Sequence, residues 1–159
     1  MADKDSRLSI DLLHELFEYK NGKLFWKKDG TEAGWTDNLG YRSIGINRKT
    51  YKTHRLIFLF HKNYLPSFID HIDGDPSNNA IENLREASKM QNSWNQKVRV
   101  TNKSGIKGVG WNEKAKAWGA RCMLNYKSYF LGRFKTKEEA AKVIYEFREK
   151  HQGQFARHS

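Results

Sequence analysis

Apolar side chains recur at helical spacing at Ile10, Leu13, Leu16 and Phe17, behind a Ser9 that can cap a helix running to about Tyr19. Asn21-Gly22 then signals a turn into an extended stretch over residues 23–26. Residues 41–46 and 50–54 read as a hairpin joined by Asn47-Arg48-Lys49, and residues 55–61 as a short buried helix. After Pro66 a strand is expected over residues 68–71, followed by a polar loop; Ser88-Lys89-Met90-Gln91 has the form of a capping box opening another helix. Residues 95–104 follow neither a helical nor an alternating period. Beyond them three strands are predicted, beginning at residues 104–111 and continuing over 118–124 and 128–134. Thr136-Lys137-Glu138-Glu139 then caps a helix with Ala140, Ala141, Ile144, Tyr145 and Phe147 as its apolar positions and Gly153 as its stop. The fold class expected is α+β, with no internal repeat.

Charge divides the 159 residues more sharply than hydropathy does. Residues 1–96 carry 14 basic and 13 acidic side chains, whereas residues 97–159 carry 15 basic and 5 acidic, so nearly all of the net charge of +11 lies beyond residue 96. Such a surplus suits a polyanionic partner. The aperiodic stretch at the junction is itself basic, and the expected organisation is residues 1–95, a linker over 96–103 and residues 104–159. Five Trp, seven Tyr and nine Phe argue for folded cores, and the single cysteine, Cys122, excludes a disulfide framework or a cysteine-rich zinc site. The longest apolar run, residues 56–60, is far below the roughly 20 residues of a membrane span, and no apolar signal core follows Met1. A cytoplasmic protein without a membrane partner is expected.

The densest chemistry lies over residues 70–85, where Asp70-His71-Ile72-Asp73-Gly74-Asp75 runs into Asn78-Asn79 and Asn83-Leu84-Arg85, with Asn92 on the helix beyond. Hydrolysis of a phosphodiester needs a base for water and a divalent cation on hard oxygen donors. A His beside a carboxylate on a strand offers both, because neighbouring strand residues face opposite sides. Asp73-Gly74-Asp75 looks like the start of a calcium loop, but Asn78 stands where that loop needs Gly and Leu84 where it needs Glu. Asp75, Asn78 and Asn79 are expected to form turns, and His54 to pack at the head of its helix.

This stretch, with Thr53-His54-Arg55-Leu56 upstream and Asn83-Leu84-Arg85-Glu86-Ala87 downstream, resembles the HNH nucleases of the phage homing type, which carry a ββα-metal fold. The resemblance implies that His71 is the general base, that Asp70 and Asn92 bind the catalytic metal, and that Asn83 braces the loop and keeps His71 oriented. Asn92 stands where many members have a final His. Oxygen and nitrogen donors of this kind suit Mg2+ or Mn2+.

The C-terminal part resembles the AP2 DNA-binding domain, on Gly108-Val109, Trp118-Gly119-Ala120, Leu131-Gly132-Arg133-Phe134, Glu139-Ala140-Ala141 and Gly153-Gln154-Phe155-Ala156. It implies three strands covered by one helix, with the opposite face free for double-stranded DNA. Alternation turns Ala120, Cys122 and Leu124 inward and Gly119, Arg121 and Met123 outward. Arg121 is the leading DNA contact, followed by Lys107, Lys127 and Arg133, with Lys97, Arg99 and Lys103 of the linker on phosphates. Several positions where plant members of that family place Arg hold Gly110, Met123 and Ser128 here.

Together the two resemblances imply an endonuclease of the HNH homing type tethered to a DNA-recognition module. A regulator with an inactive nuclease fold, or a nuclease for RNA or branched DNA, are the alternatives. The chain has no heptad segment or unpartnered long apolar helix, so a monomer that nicks one strand is expected.

Overall fold

The computed structural model describes residues 8–98 and 100–158. They divide into two units, Met1–Ser88 and Lys89–Ser159, each mixing α and β structure.

In the first unit, α1 (Ile10–Leu16) is capped by Ser9, whose hydroxyl accepts from Leu12 N–H at 3.1 Å. The helix stops three residues short of the expected end because Phe17 turns to extended backbone and opens β1 (Phe17–Lys20). Asn21 and Gly22 both have positive φ, 47° and 78°, the pairing of a tight primed turn. That turn returns the chain as β2 (Lys23–Trp26), with Phe17 opposite Trp26 and Lys20 opposite Lys23. The strand pairing thus claims the residues that would have extended the helix.

A three-stranded antiparallel sheet follows, in the order β3 (Trp35–Thr36), β4 (Arg42–Ile46), β5 (Lys49–Lys52). Its tight turn is Asn47-Arg48, again with two positive φ angles, so Lys49 pairs with Ile46 instead of extending the turn. Thr53 and His54, expected in the strand, begin α2 (Thr53–Lys62). This helix buries Leu56, Ile57, Phe58 and Leu59 and ends on Asn63 in the left-handed conformation. Leu13, Phe17, Leu24, Ile44, Leu56 and Ile57 are at most 1% exposed and form the centre of the core. Each such side chain contributes roughly 1.5 to 3 kcal/mol by leaving water. A second hairpin, β6 (Phe68–His71) with β7 (Leu84–Ala87), sets Asp70 opposite Arg85 and His71 opposite Leu84.

In the second unit, α3 (Lys89–Trp94) precedes a three-stranded antiparallel sheet, β8 (Val109–Asn112), β9 (Ala117–Leu124) and β10 (Lys127–Phe134), with β9 central. Residues 104–108, expected as the start of the first strand, form a loop instead, tied down by the Ser104 hydroxyl 2.6 Å from the Val109 carbonyl. α4 (Lys137–Gln152) opens with the expected capping box, Thr136 and Glu139 each bonding the other's backbone N–H. Val109, Ala120, Cys122, Ala140 and Ile144 make a core of mostly small residues that brings helix and sheet close together. Among the described residues no helix is long and apolar enough to cross a membrane.

Candidate functional site

Asp70 and His71 end β6, and both are buried, at 3% and 7% exposure. Register explains the first of them. Arg85, directly across the hairpin, donates from Nε and Nη2 to Asp70 Oδ2, both at 2.8 Å. A buried carboxylate without such a partner would cost several kcal/mol.

His71 is held through its ring. Its Nε2 lies 3.1 Å from Asn79 Oδ1, and the Asn79 amide Nδ2 donates to the Ser77 carbonyl at 3.2 Å. With the amide nitrogen committed to Ser77, the oxygen faces the imidazole as an acceptor. Nε2 then carries the ring proton and Nδ1 the lone pair. Asn79 is 3% exposed, and its burial comes from far away in sequence. Gly22, in the β1–β2 turn, lies so near that a Cβ there would come within 2.7 Å of Ala80 N, and Tyr19 Oη accepts from Ile81 N–H at 3.1 Å. Asn79 was expected only as a turn former; the structure places its side chain on the histidine.

The loop between the two strands is built around Asp73 and Asn83. Asn83 Nδ2 donates to Asp73 Oδ1 at 3.0 Å and to the Asn78 carbonyl at 2.8 Å, while its Oδ1 accepts from Asp73 N–H at 3.1 Å. Asn78 Nδ2 donates to Asp73 Oδ2 at 2.7 Å, and Asp75 N–H to Asp73 Oδ1 at 2.8 Å. Burial alone would raise the Asp73 carboxyl, but the bonds from Asp75, Asn78 and Asn83 outweigh it and hold the group below its ordinary value. Asn83 therefore ties the loop together, and Asn79 meets the His71 ring.

His54 and Tyr41 wall the other side of the histidine. The His54 and His71 rings meet edge to face with centroids 5.1 Å apart, and Tyr41 lies 5.9 Å from His54 and 6.1 Å from His71. His54 Nδ1 is buried without a hydrogen-bond partner. Burial, and after it the positive charge of His71, Arg55 and Lys52, pushes His54 down to about 3. The unfolded chain, with an ordinary histidine near 6.5, binds the proton more readily, so this group's contribution to stability is complete above about pH 6.5 and is lost as pH falls toward 3. At about 1.4 kcal/mol per pH unit, the loss between pH 6.5 and 4.5 is on the order of 3 kcal/mol. Urea melts at the two pH values should show this slope in the wild type and a shallower one in His54→Gln; equal slopes would remove His54 as its source.

Asp70 offers a buried carboxylate oxygen, a hard donor of the kind a divalent cation takes. Asn92 lies on α3 of the second unit. Among the described residues no three or more His, Cys, Asp or Glu side chains are grouped to hold a metal.

In the second unit Arg121 and Arg133 stand exposed on the sheet face away from α4, and Lys127 is exposed at the start of β10. Lys97 and Lys103 are exposed in the segment before β8. Arg99 lies outside the described residues. Lys107 is placed differently from its expected role as a DNA contact. Its ammonium donates to the carbonyls of Ser93, Trp94 and Gln96 at 3.1, 3.0 and 3.2 Å, closing the C-terminal end of α3. Burial, with Arg148 adding, lowers it to about 8. Three donors spent on carbonyls leave none for a phosphate. Its own carbonyl accepts from Arg148 Nη2 at 2.6 Å, and that arginine is 3% exposed. A lysine on a helix-terminal carbonyl cluster is favourable through the helix dipole, but nothing in the local sequence around Lys107 pairs it with a helix 13 residues upstream.

Residues 51–94, from β5 through α3, match the HNH endonuclease family. Protein 3.8 of Escherichia phage T7 is 39% identical over 92 residues, covering 57% of this chain and 74% of that protein. An uncharacterized HNH endonuclease of Acanthamoeba polyphaga mimivirus is 33% identical over 106 residues, 65% of this chain, which spans about half (54%) of that relative's length. No solved structure matches. The match to protein 3.8 extends over most of that protein, and the buried Asp-His hairpin lies inside the segment that matches the nucleases: the chain belongs to the family of the phage protein and carries an HNH endonuclease domain.

Proposed function

We propose that the protein is a metal-dependent DNA endonuclease of the homing type that hydrolyses one phosphodiester of a recognised duplex. The observation that carries this reading is the His71 ring held by Asn79 beside a buried carboxylate. His71 Nδ1 takes a proton from the attacking water. Asn79 Oδ1 keeps its hydrogen bond to Nε2–H as the ring takes that proton, and so holds the imidazole in place. Asn83 braces the loop that carries Asn79, and Asp70 and Asn92 hold the cation, Mg2+ or Mn2+. When bound, that ion would neutralise charge on the phosphate and the leaving oxygen.

Residues 104–159 act as an AP2-like module on double-stranded DNA, through Arg121, Lys127 and Arg133, with Lys97 and Lys103 on phosphates. The charge balance of this part supports the assignment, since a β-sheet face can enter the major groove. Lys107 is left out of that surface and assigned to clasping α3. Residues 1–95 form the nuclease part and 96–103 the connection.

One base and one cation position hydrolyse one strand per encounter, so a monomer acting on an asymmetric site should nick. Supercoiled plasmid incubated with the protein should become open circular with Mg2+ and remain supercoiled with a chelator. Absence of metal-dependent cleavage would overturn the endonuclease reading. Linear product formed directly, without an open-circular precursor, would overturn single-strand cutting.

A further inference from the structure

The outward face of the β8–β9–β10 sheet carries more than arginine. Strand alternation puts Gly119, Arg121 and Met123 of β9 on it, and antiparallel register sets Phe130 opposite Arg121, Ser128 opposite Met123 and Arg133 opposite Gly119. Gly110 on β8 completes the row opposite Gly119. Met123 is 55% exposed and Phe130 56%. Neither belongs to the core of this unit, which lies on the α4 side of the sheet.

The small residues set how these side chains lie. A Cβ on Gly119 would sit 3.9 Å from Phe130 Cε2, ordinary contact, so the ring rests over that glycine, and a Cβ on Gly110 would meet nothing within 4 Å. The Arg133 guanidinium lies 5.8 Å from the Phe130 ring centroid, within cation–π range. The five acidic residues of the C-terminal part are Glu113, Glu138, Glu139, Glu146 and Glu149, four of them on α4 and Glu113 in the β8–β9 turn, so the face holds two arginines and no carboxylate. It is an apolar patch framed by cations and free of opposing charge.

Arginine reads guanine O6 and N7 and also binds phosphate, but a methionine and a phenylalanine can do neither. Among the base edges exposed in the major groove, the C5 methyl of thymine is the apolar group. We infer that Met123 and Phe130 are specificity-determining residues that read thymine methyl groups beside the base contact made by Arg121. This rests on the reading of the sheet as a DNA-binding face and adds which base chemistry it selects.

The test uses the full-length protein with Mg2+ withheld, so that binding is measured without cleavage. Bound duplexes are selected from a random-sequence pool, and the preferred duplex is then synthesised twice, with thymine and with uracil, which lacks only the methyl. The wild type should bind the uracil duplex about fourfold more weakly for each contacted methyl lost, or roughly tenfold or more for two. Met123→Ala combined with Phe130→Ala should bring that ratio near one, while Asn112→Ala, on the same sheet, should leave it unchanged. A wild-type ratio of one, or a double variant that keeps the wild-type ratio, overturns the inference while leaving DNA binding intact. Failure to enrich any duplex overturns the DNA-binding reading itself.

Discussion

Replacing His71 by Ala should reduce metal-dependent cleavage by about 10² to 10⁴-fold while DNA affinity stays within about twofold, because the change removes the base and leaves the basic surface untouched. Single-turnover cleavage and a filter-binding isotherm on the same preparation separate the two quantities. The environment of the residue makes the prediction sharper. Asn79 Oδ1 is the partner that orients the ring through Nε2, so Asn79→Leu should lower the cleavage rate in the same direction by a smaller factor, roughly ten- to hundredfold. Asn83 makes its bonds to the loop, so Asn83→Ala should lower thermal stability along with rate. Wild-type cleavage by His71→Ala would end its assignment as the base. A wild-type cleavage rate in Asn79→Leu would end the positioning role given to Asn79.

How much of this was legible in the chain depends on how local the cause is. Ser9 and Thr136 cap helices through bonds spanning three residues, and both are readable from sequence. So is β6, an extended stretch bounded by Pro66 and a polar loop. The end of α1 was misread because the competing element, β1, exists only through its pairing with β2 across Asn21-Gly22. Arg85 opposite Asp70 follows from the register of a hairpin whose connection is twelve residues long, and no rule for tight turns fixes that register. Asn79 and Lys107 lie further out of reach. In a run of Asp, Ser and Asn, an asparagine reads as a turn former; this one becomes a buried partner of His71 because a glycine and a tyrosine some sixty residues earlier close over the loop. Lys107 reads as one more cation in a basic segment, and its partners are main-chain carbonyls, which carry no side-chain signature at all.

Removing the C-terminal part should cost more affinity than any single substitution. A fragment ending at Gln96 keeps 14 basic and 13 acidic side chains and discards the net +10 of residues 97–159. Each phosphate neutralised on duplex DNA contributes about −0.9 to the slope of log affinity against log salt, so if even six of the lost cations contact phosphate, the intact chain should show a slope about five units steeper than the fragment. At 50 mM salt that difference should appear as a loss of binding of about a hundredfold or more. The fragment loses something else as well. Lys107 goes with the discarded part, and with it the three bonds that close the end of α3, the helix that carries Asn92. Residual cutting should therefore fall further than affinity does, even at fragment concentrations that saturate the DNA. Lys107→Met in the full chain separates the two effects: it should keep most of the salt slope and lose helix order at α3, seen as faster amide exchange over residues 89–94. Equal salt slopes for fragment and full chain would place the DNA-binding surface in the N-terminal part. Unchanged exchange in Lys107→Met would show that α3 holds its end without that lysine.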